Sequence, residues 1–216
     1  MMERRRFLKQ GGAAAGAIAS ASFFTACSNS DQQAAASFGE TAANKVYKWK
    51  AVTTWPPNFP VLGAAMVNMA KELEIMSSGR LQIKVYGAGE LIPASEAFDA
   101  VAQGAVQICH GAAYYWSGKI PASAFFASVP FGLTAQQMNA WLLYGGGLEL
   151  WRELYGQYGL IPFPAGNTGV QMGGWFNKEI NSIEDFEGLK MRIPGLGGKV
   201  LNKAGGSATT IAGGEI

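Results

Sequence analysis

Segments with a two-residue hydrophobic period alternate along this chain with segments of helical period. Residues 46–53 read VYKWKAVT, in which apolar and lysine side chains alternate as in a half-buried strand. Apolar residues then recur at helical spacing over 62–76, and LQIKVY at 81–86 returns to the period of two. This order predicts an α/β fold of mostly parallel sheets flanked by helices. We expect the methionines of the helical segment in the core: Met66, Met69 and Met76.

Turn and capping residues mark further elements. Ser95 is the predicted N-cap of a helix that ends at Gly104, and a short strand follows over 105–110. Thr134 and Gln137 have the spacing of a capping box, which predicts that a helix begins directly after Thr134.

The first 26 residues have the pattern of an export signal: a charged start, an apolar run and small residues at cleavage points. RRRFLK at 4–9 resembles a twin-arginine signal with Arg4 and Arg5 as the pair, so we expect a periplasmic protein. The apolar run is shorter than the roughly 20 residues that a membrane-spanning helix needs.

The signal is followed by a cysteine and a polar stretch. FTAC, which ends at Cys27, resembles a lipoprotein box and predicts lipidation of Cys27, whereas an ordinary signal-peptidase site at 19–21 is the alternative. Residues 27–45 are rich in Ser, Gln and Ala, and are predicted to form a flexible tether.

Removal of the signal leaves a nearly neutral chain. The sequence has 17 Lys and Arg and 15 Asp and Glu residues, but the signal contains four of the basic residues and one of the acidic ones. The remaining 13 basic and 14 acidic residues form no basic cluster. This balance argues against a nucleic-acid partner.

Reactive side chains are scarce, which argues against an enzyme. His110 is the only histidine and the sequence has no Gly-x-Ser-x-Gly motif, so a Ser-His-Asp hydrolase has no basis. Cys109 and His110 are neighbours on the predicted strand and point to opposite faces, so they cannot readily share a zinc ion. PGLGGKV at 194–200 is not a phosphate loop, because Val200 replaces the glycine, serine or threonine that such loops need.

One arginine lies on a predicted strand. In LKMRIP at 189–194 the apolar residues alternate toward the core, so Arg192 faces elsewhere. VQMGGWF at 170–176 is predicted to be the preceding strand, with Gln171 and Trp175 on one face. In a cleft, Arg192 would offer a fork to a carboxylate, Gln171 a neutral hydrogen-bonding group and Trp175 an apolar wall. From spacing alone, the simpler explanation is a surface ion pair with one of three acidic residues: Glu184, Asp185 or Glu187.

Four segments in order carry a resemblance to a known family. They read YKWKAVTTWPPNFP, GAGELIPASEAFDAVAQGAVQICHG, NTGVQMGGWFNKEI and DFEGLKMRIPG. From Tyr47 onward the chain resembles the substrate-binding protein of a tripartite ATP-independent periplasmic (TRAP) transporter. The Gln-x-x-x-Trp-Phe wording resembles the branch that binds 2-oxo acids and related monocarboxylates.

The resemblance implies a two-lobed, periplasmic binding protein-like fold. Glycine becomes frequent from residue 166, so we place the first lobe at 46–165 and the second at 166–216. A lobe of about 50 residues is too short to close a buried core by itself. We therefore expect an incomplete second lobe and a truncated chain.

The resemblance also implies site residues. In the family a strand arginine pairs with the ligand carboxylate, and Arg192 holds that position. Gln171 matches a polar ligand contact and a ligand of a sodium or calcium cation, whose other ligands are expected beyond Ile216. No other cofactor is implied.

Two further groups complete the expected site. The loop AAYYWSGK at 112–119 matches a region that closes over the ligand, which makes Tyr115, Trp116 and Tyr114 candidates, with Tyr115 first. Thr54 and Trp55 follow the first strand, at the edge where open α/β sheets bind ligands.

The resemblance implies a receptor that closes on a small organic acid, such as pyruvate or a lactate-like monocarboxylate, and delivers it to a membrane permease. Two alternatives stay open at this point. One is an exported enzyme of unrecognised type, and the other is a non-functional fragment of the receptor.

Overall fold

The computed structural model describes residues 45–211 together with residues 213 and 216, and Val46–Ile216 forms one compact unit. The predicted signal, the tether up to residue 44 and Cys27 lie outside the described residues. The first strands and helices are β1 Tyr47–Thr53, α1 Leu62–Met76, β2 Leu81–Tyr86, α2 Ala97–Ala102 and β3 Ile108–His110. They are followed by α3 Ala135–Tyr144, α4 Gly147–Gly156, β4 Lys190–Arg192, α5 Gly195–Lys203 and β5 Ser207–Thr209.

The first sheet has the order β2-β1-β3 and is parallel throughout. Tyr47 pairs with Leu81 at one end of β1, and Thr53 pairs with His110 at the other. The parallel α/β architecture predicted from the alternation of periods is therefore confirmed. All three strands end at the same edge, so the residues that follow β1 and β3 are neighbours there.

The burial pattern of β1 differs from the prediction of one buried face. Tyr47 and Trp49 are exposed, whereas Ala51, Val52 and Thr53 are all buried. The reason is that β1 is the central strand: at its carboxyl end it is paired on both edges and covered on both faces, as parallel strands usually are.

Helix α1 ends where the sequence predicts, with Ser77 as its C-cap and Gly79 at φ 78°. Met66 and Ala70 are buried, but Met69 and Met76 are exposed, so the expectation of three core methionines is wrong for two of them. Helical spacing shows which residues share one face of the helix. It does not show how much of that face the neighbouring sheet covers.

The next helix begins differently from the prediction. Ser95 lies within a 3₁₀ turn, Ala94–Glu96, and its side chain caps nothing, because α2 continues directly from that turn. The predicted end is correct, since Gly104 follows α2 at φ 76°. In α3 the capping box is confirmed: Thr134 N donates to the Gln137 side chain at 2.9 Å, and Gln137 N donates to Thr134 Oγ1 at 3.4 Å.

The first sheet packs on an aromatic core. Phe98 contacts the rings of Trp116, Tyr155 and Tyr158, with centroids 5.3 to 5.5 Å apart. Such pairs stabilise a core beyond the area they bury. The core fixes the 3₁₀ turn Ala113–Trp116, which is separated from the end of β3 by two residues.

The second sheet consists of β4 and β5, which are parallel and connected by α5. Arg192 pairs with Thr209 at the carboxyl end of both strands. Gly198 of α5 lies on Ile193, where a Cβ would be 2.6 Å from the Ile193 carbonyl oxygen. Glycine therefore permits the close approach of α5 to the strand it follows.

The predicted strand over 170–176 is not formed. A strand needs a neighbour for its backbone N–H and C=O groups, and in the described part of the chain β4 pairs only with β5. Segment 170–176 is irregular, with Gly174 lying against Met191 of β4.

None of the helices in the described part of the chain has the length and apolar character needed to cross a bilayer.

Candidate functional site

Arg192 is the last residue of β4, and its side chain is partly buried. Its Nε and Nη2 donate to the carbonyl oxygen of Ile211, at 3.1 and 2.8 Å. Nη2 also donates to the hydroxyl oxygen of Tyr115 at 3.0 Å. Both acceptors are uncharged, so these bonds orient the guanidinium without neutralising it.

The ion pair that spacing alone favoured is not formed with the nearby acidic residues. The Asp185 carboxylate accepts hydrogen bonds from the N–H groups of Asn181 and Ser182, at 2.9 and 2.8 Å, and these bonds lower its pKa. Among residues 45–211, 213 and 216 the ion pair found is Lys119 with Asp99. Among the described residues, Arg192 is therefore bonded to uncharged acceptors and to no carboxylate.

The turn after β3 contains three aromatic residues with different neighbours. Tyr115 reaches the guanidinium, Trp116 is buried against the core, and Cβ of Tyr114 would lie 2.9 Å from a Cβ placed on Gly195 at the start of α5. Burial, together with the neighbouring Tyr115, raises the pKa of Tyr114, so its phenol is neutral at physiological pH. The turn thus connects the first sheet to the second.

The carboxyl edge of the first sheet forms another part of the site. Thr54 N donates to the His110 carbonyl at 3.0 Å, which joins the residue after β1 to the end of β3. The Thr54 hydroxyl is buried and has no hydrogen-bond partner among the described residues. Gly111 lies against the Thr54 side chain, since a Cβ placed on Gly111 would be 2.8 Å from Thr54 Cγ2. This is the edge at which the sequence placed Thr54 and Trp55.

Ile211 and Gly213 each contact one of the two parts. The Ile211 carbonyl oxygen accepts the hydrogen bonds of Arg192. Gly213 lies near the indole of Trp55, since a Cβ placed on Gly213 would be 3.8 Å from Trp55 Cδ1. The structure therefore brings together Arg192, Tyr115, Tyr114, Trp116, Thr54 and Trp55.

Gln171 and Trp175 are not joined to this group. The Gln171 side chain is exposed and donates to Thr168 Oγ1 at 2.6 Å, and Trp175 is 89 % exposed. Their placement on one face of a strand was wrong because that strand is not formed. Their predicted roles in ligand binding stay predictions.

Gln171 was also the proposed ligand of a cation. In the described part of the chain no three His, Cys, Asp or Glu residues converge to hold a metal ion, and the Gln171 amide is bonded within its own loop. The predicted role of Gln171 as a ligand of a cation stays a prediction.

Sequence reasoning missed three residues of the site: Ile211, Gly111 and His110. Ile211 acts through its backbone carbonyl, which no side-chain pattern identifies. Gly111 and His110 carry a usable signal, because they stand where β3 ends and face the residues that follow β1.

Cys109 and His110 show no sign of reactivity. Burial raises the pKa of the Cys109 thiol to about 12, which keeps it protonated, and burial lowers the pKa of the His110 imidazole, which favours its neutral form. His110 packs edge-on against Trp55, with ring centroids 4.8 Å apart.

Comparison with known proteins places this geometry in a family. Residues 51–216 match DctP, the bacterial extracellular solute-binding protein family 7. A monocarboxylate 2-oxoacid-binding periplasmic protein from Nostoc sp. is 49 % identical over 170 residues, which are 78 % of this chain and 46 % of that protein.

Two solved structures are also similar. A TRAP periplasmic solute-binding protein from Pseudoalteromonas atlantica T6c, with bound sodium and pyruvate, is 53 % identical with a TM-score of 0.77. Another from Colwellia psychrerythraea, with bound calcium and pyruvate, is 52 % identical, also with a TM-score of 0.77. Each match covers 80 % of this chain and 52 % of the other, so the chain spans about half the length of these relatives. The chain belongs to family 7 of the bacterial extracellular solute-binding proteins, a family of solute receptors.

Proposed function

We propose that this chain is part of a TRAP transporter receptor that binds a small monocarboxylate, of the 2-oxo acid class that includes pyruvate, and delivers it to a membrane permease. The observation that carries the proposal is Arg192, a partly buried cation whose protein partners in the described chain are two uncharged oxygens. A carboxylate at this position would gain charge-assisted hydrogen bonds of about 1.5 to 3 kcal/mol.

The named relatives support the choice of ligand. Two of them hold pyruvate and the third is named for monocarboxylate 2-oxo acids. The sodium and calcium in the two structures favour a cation beside the acid in those proteins. Around the ligand we assign Tyr115, Trp116, Tyr114, Thr54 and Trp55 to the wall that faces Arg192.

The remaining proposals concern export and organisation. The twin-arginine pattern at Arg4 and Arg5 supports export to the periplasm, and the sequence before Cys27 supports a lipid anchor there. A lobe boundary near residue 165 is supported by the separate sheets on either side of it.

The test is thermal unfolding of the purified chain with and without pyruvate, in buffers containing sodium or calcium. A ligand that binds only the folded state raises the melting temperature in a concentration-dependent way. We expect Arg192→Gln to abolish this stabilisation, because it removes the charge and the planar donor set.

The matched control is Lys190→Gln, which removes an exposed positive charge from the same strand. We expect it to respond to pyruvate like the unmodified chain. If both variants respond equally, Arg192 does not bind the carboxylate and the proposed site is wrong.

A further inference from the structure

The first sheet has a second surface at the end where its strands begin. We call this surface, formed by residues 47–50 and 75–84, the amino edge. The end of α1 and the turn after it belong to the amino edge, because Tyr47 N donates to the Arg80 carbonyl at 2.6 Å and Arg80 Nε donates to the Ser77 carbonyl at 3.2 Å. The candidate site lies where the parallel strands end, so the amino edge is at the opposite end of the sheet.

Strand pairing brings three lysines together at the amino edge. Lys48 and Lys50 lie two residues apart on one face of β1, and Lys50 is paired with Lys84 of β2. All three residues are exposed. The sequence alone shows no basic cluster here, because the cluster depends on the register that joins the two strands. Like charges opposite each other on neighbouring strands are destabilising, so the fold itself does not explain the pair Lys50 and Lys84.

The positive charge of the amino edge is not balanced within the described part of the chain. The ion pair found there joins Lys119 and Asp99, away from these strands. Residues 46–50 and 71–84 contain five basic and two acidic residues, which leaves a net charge of +3. The amino edge is therefore complementary to an anionic surface.

Exposed apolar side chains lie beside the basic ones. Tyr47 and Trp49 point to the other face of β1 and are 46 % and 38 % exposed, and Ile75 and Met76 at the end of α1 are 71 % and 79 % exposed. Aromatic, aliphatic and lysine side chains occur together on protein surfaces that contact membranes. There the apolar groups enter the headgroup region, and the lysines are attracted to anionic lipids.

The connectivity of the chain favours a membrane over an acidic protein as the occupant of this surface. Strand β1 begins at the amino edge, and Cys27, for which we propose a lipid anchor, is 20 residues before Tyr47 in the sequence. An anchor at Cys27 would therefore tether the protein by its amino edge.

We infer that the amino edge binds the surface of a membrane that contains anionic phospholipids, with Lys48, Lys50 and Lys84 on the lipid phosphates. The apolar side chains of the edge enter the headgroup region. This inference goes beyond the proposed function, since it concerns a surface at the other end of the sheet from the candidate site. In this arrangement the candidate site stays open to dissolved ligands.

The first experiment measures partitioning of the full chain onto vesicles of equal parts phosphatidylglycerol and phosphatidylcholine, and onto vesicles of phosphatidylcholine alone. One variant replaces Lys48, Lys50 and Lys84 by glutamine. The matched control replaces three exposed lysines outside the amino edge in the same way: Lys178, Lys190 and Lys203. The export signal contributes equally to every variant, so a difference between the variants reports on the replaced lysines.

We expect the amino-edge variant to bind the anionic vesicles about a hundredfold more weakly than the unmodified chain, since each lysine near an anionic surface contributes about fivefold. The control variant should stay close to the unmodified chain. Raising the salt from about 0.1 M to about 1 M, which shortens the Debye length from about 10 Å to about 3 Å, should remove the difference. Equal binding by the two variants would overturn the inference, and so would equal binding of the unmodified chain to both kinds of vesicle.

The second experiment separates a membrane from an acidic polypeptide. The double variant Ile75→Asn with Met76→Asn keeps the charge of the edge and removes its apolar side chains, and Leu143→Asn with Tyr144→Asn is the control at two exposed positions of α3. We expect the first variant to bind anionic vesicles about tenfold more weakly than its control. Both should bind soluble polyglutamate equally and melt at the temperature of the unmodified chain. If the two variants bind the vesicles equally, the amino edge recognises charge alone, as for an acidic protein, and the membrane inference is wrong.

Discussion

His110 occupies the last position of β3 with 8 % of its surface exposed, and its Nδ1 is buried without a hydrogen-bond partner among the described residues. Burial lowers its pKa below the ordinary value of 6.5, so the folded state favours the neutral ring. A histidine whose pKa is lower in the folded state than in the unfolded state contributes its full stability when the pH is above the unfolded-state pKa. This contribution is lost as the pH falls through the folded-state pKa.

We therefore expect the free energy of unfolding to decrease as the pH is lowered from 7.5 through 6.5 toward 5. Since His110 is the only histidine in the sequence, few other groups titrate in this window. Urea unfolding at a series of pH values measures the effect. His110→Gln, which does not titrate, should flatten the profile between pH 7 and pH 5; an unchanged slope in this variant would assign the effect to other groups.

The site at the residue scale was only partly predictable. Arg192 could be identified because a lone arginine interrupts an apolar strand. Its partner Tyr115 lies 77 residues away, and the carbonyl of Ile211 has no sequence signature. Distant pairing and backbone acceptors depend on tertiary structure, and spacing therefore suggested an ion pair with local acidic residues that the structure does not form.

At the scale of elements, the contact between α5 and the chain before it depends on Gly198. A Cβ there would lie 2.6 Å from the Ile193 carbonyl oxygen and 3.2 Å from Cβ of Ala208 in β5. The first neighbour is backbone and cannot rotate away.

We expect Gly198→Ala to lower the free energy of unfolding by about 1 to 3 kcal/mol, as overpacking in a tight contact does. Chemical denaturation measures this cost. Gly156→Ala is the control, because Gly156 ends α4 with nothing within 4 Å of its Cβ position, and alanine there should leave stability equal or slightly higher. A Gly198→Ala variant as stable as that control would show that α5 shifts freely.

Elements that depend on residues close in the sequence were predictable, and elements that depend on pairing with distant segments were not. The capping box of Thr134 and Gln137 involves residues three apart, and the structure contains it. Segment 170–176 has the alternation of a strand, but its state depends on whether another strand lies beside it. The prediction of Ser95 as an N-cap was wrong because Ser95 lies inside the 3₁₀ turn from which α2 continues.

At the scale of the whole described unit, an apolar groove of about 850 Å³ lies away from Arg192, between the turn Pro121–Phe126 and helices α3 and α4. Its lining includes Phe125, Phe126, Val129, Phe131, Leu133 and Leu150. Phe131 is fully exposed and has φ 57°, a conformation that suits asparagine better than phenylalanine. Exposed apolar surface of this kind binds apolar molecules.

We expect the folded chain to bind the dye 8-anilinonaphthalene-1-sulfonate, and Phe131→Asn to reduce its fluorescence without loss of thermal stability. Val170→Asn removes an equally exposed apolar side chain outside the groove and should leave the fluorescence unchanged. Equal fluorescence from both variants and the unmodified chain would show that the dye binds elsewhere.

The double hydrogen bond from Arg192 to the Ile211 carbonyl has a thermodynamic consequence. A free arginine side chain has about 2 kcal/mol of rotamer entropy, which a ligand would have to suppress on binding. Here that freedom is lost while the chain folds, when residues 193–211 return beside β4. Loosening the backbone near Ile211 should therefore weaken ligand binding through entropy alone, even where every atom that touches the ligand is retained.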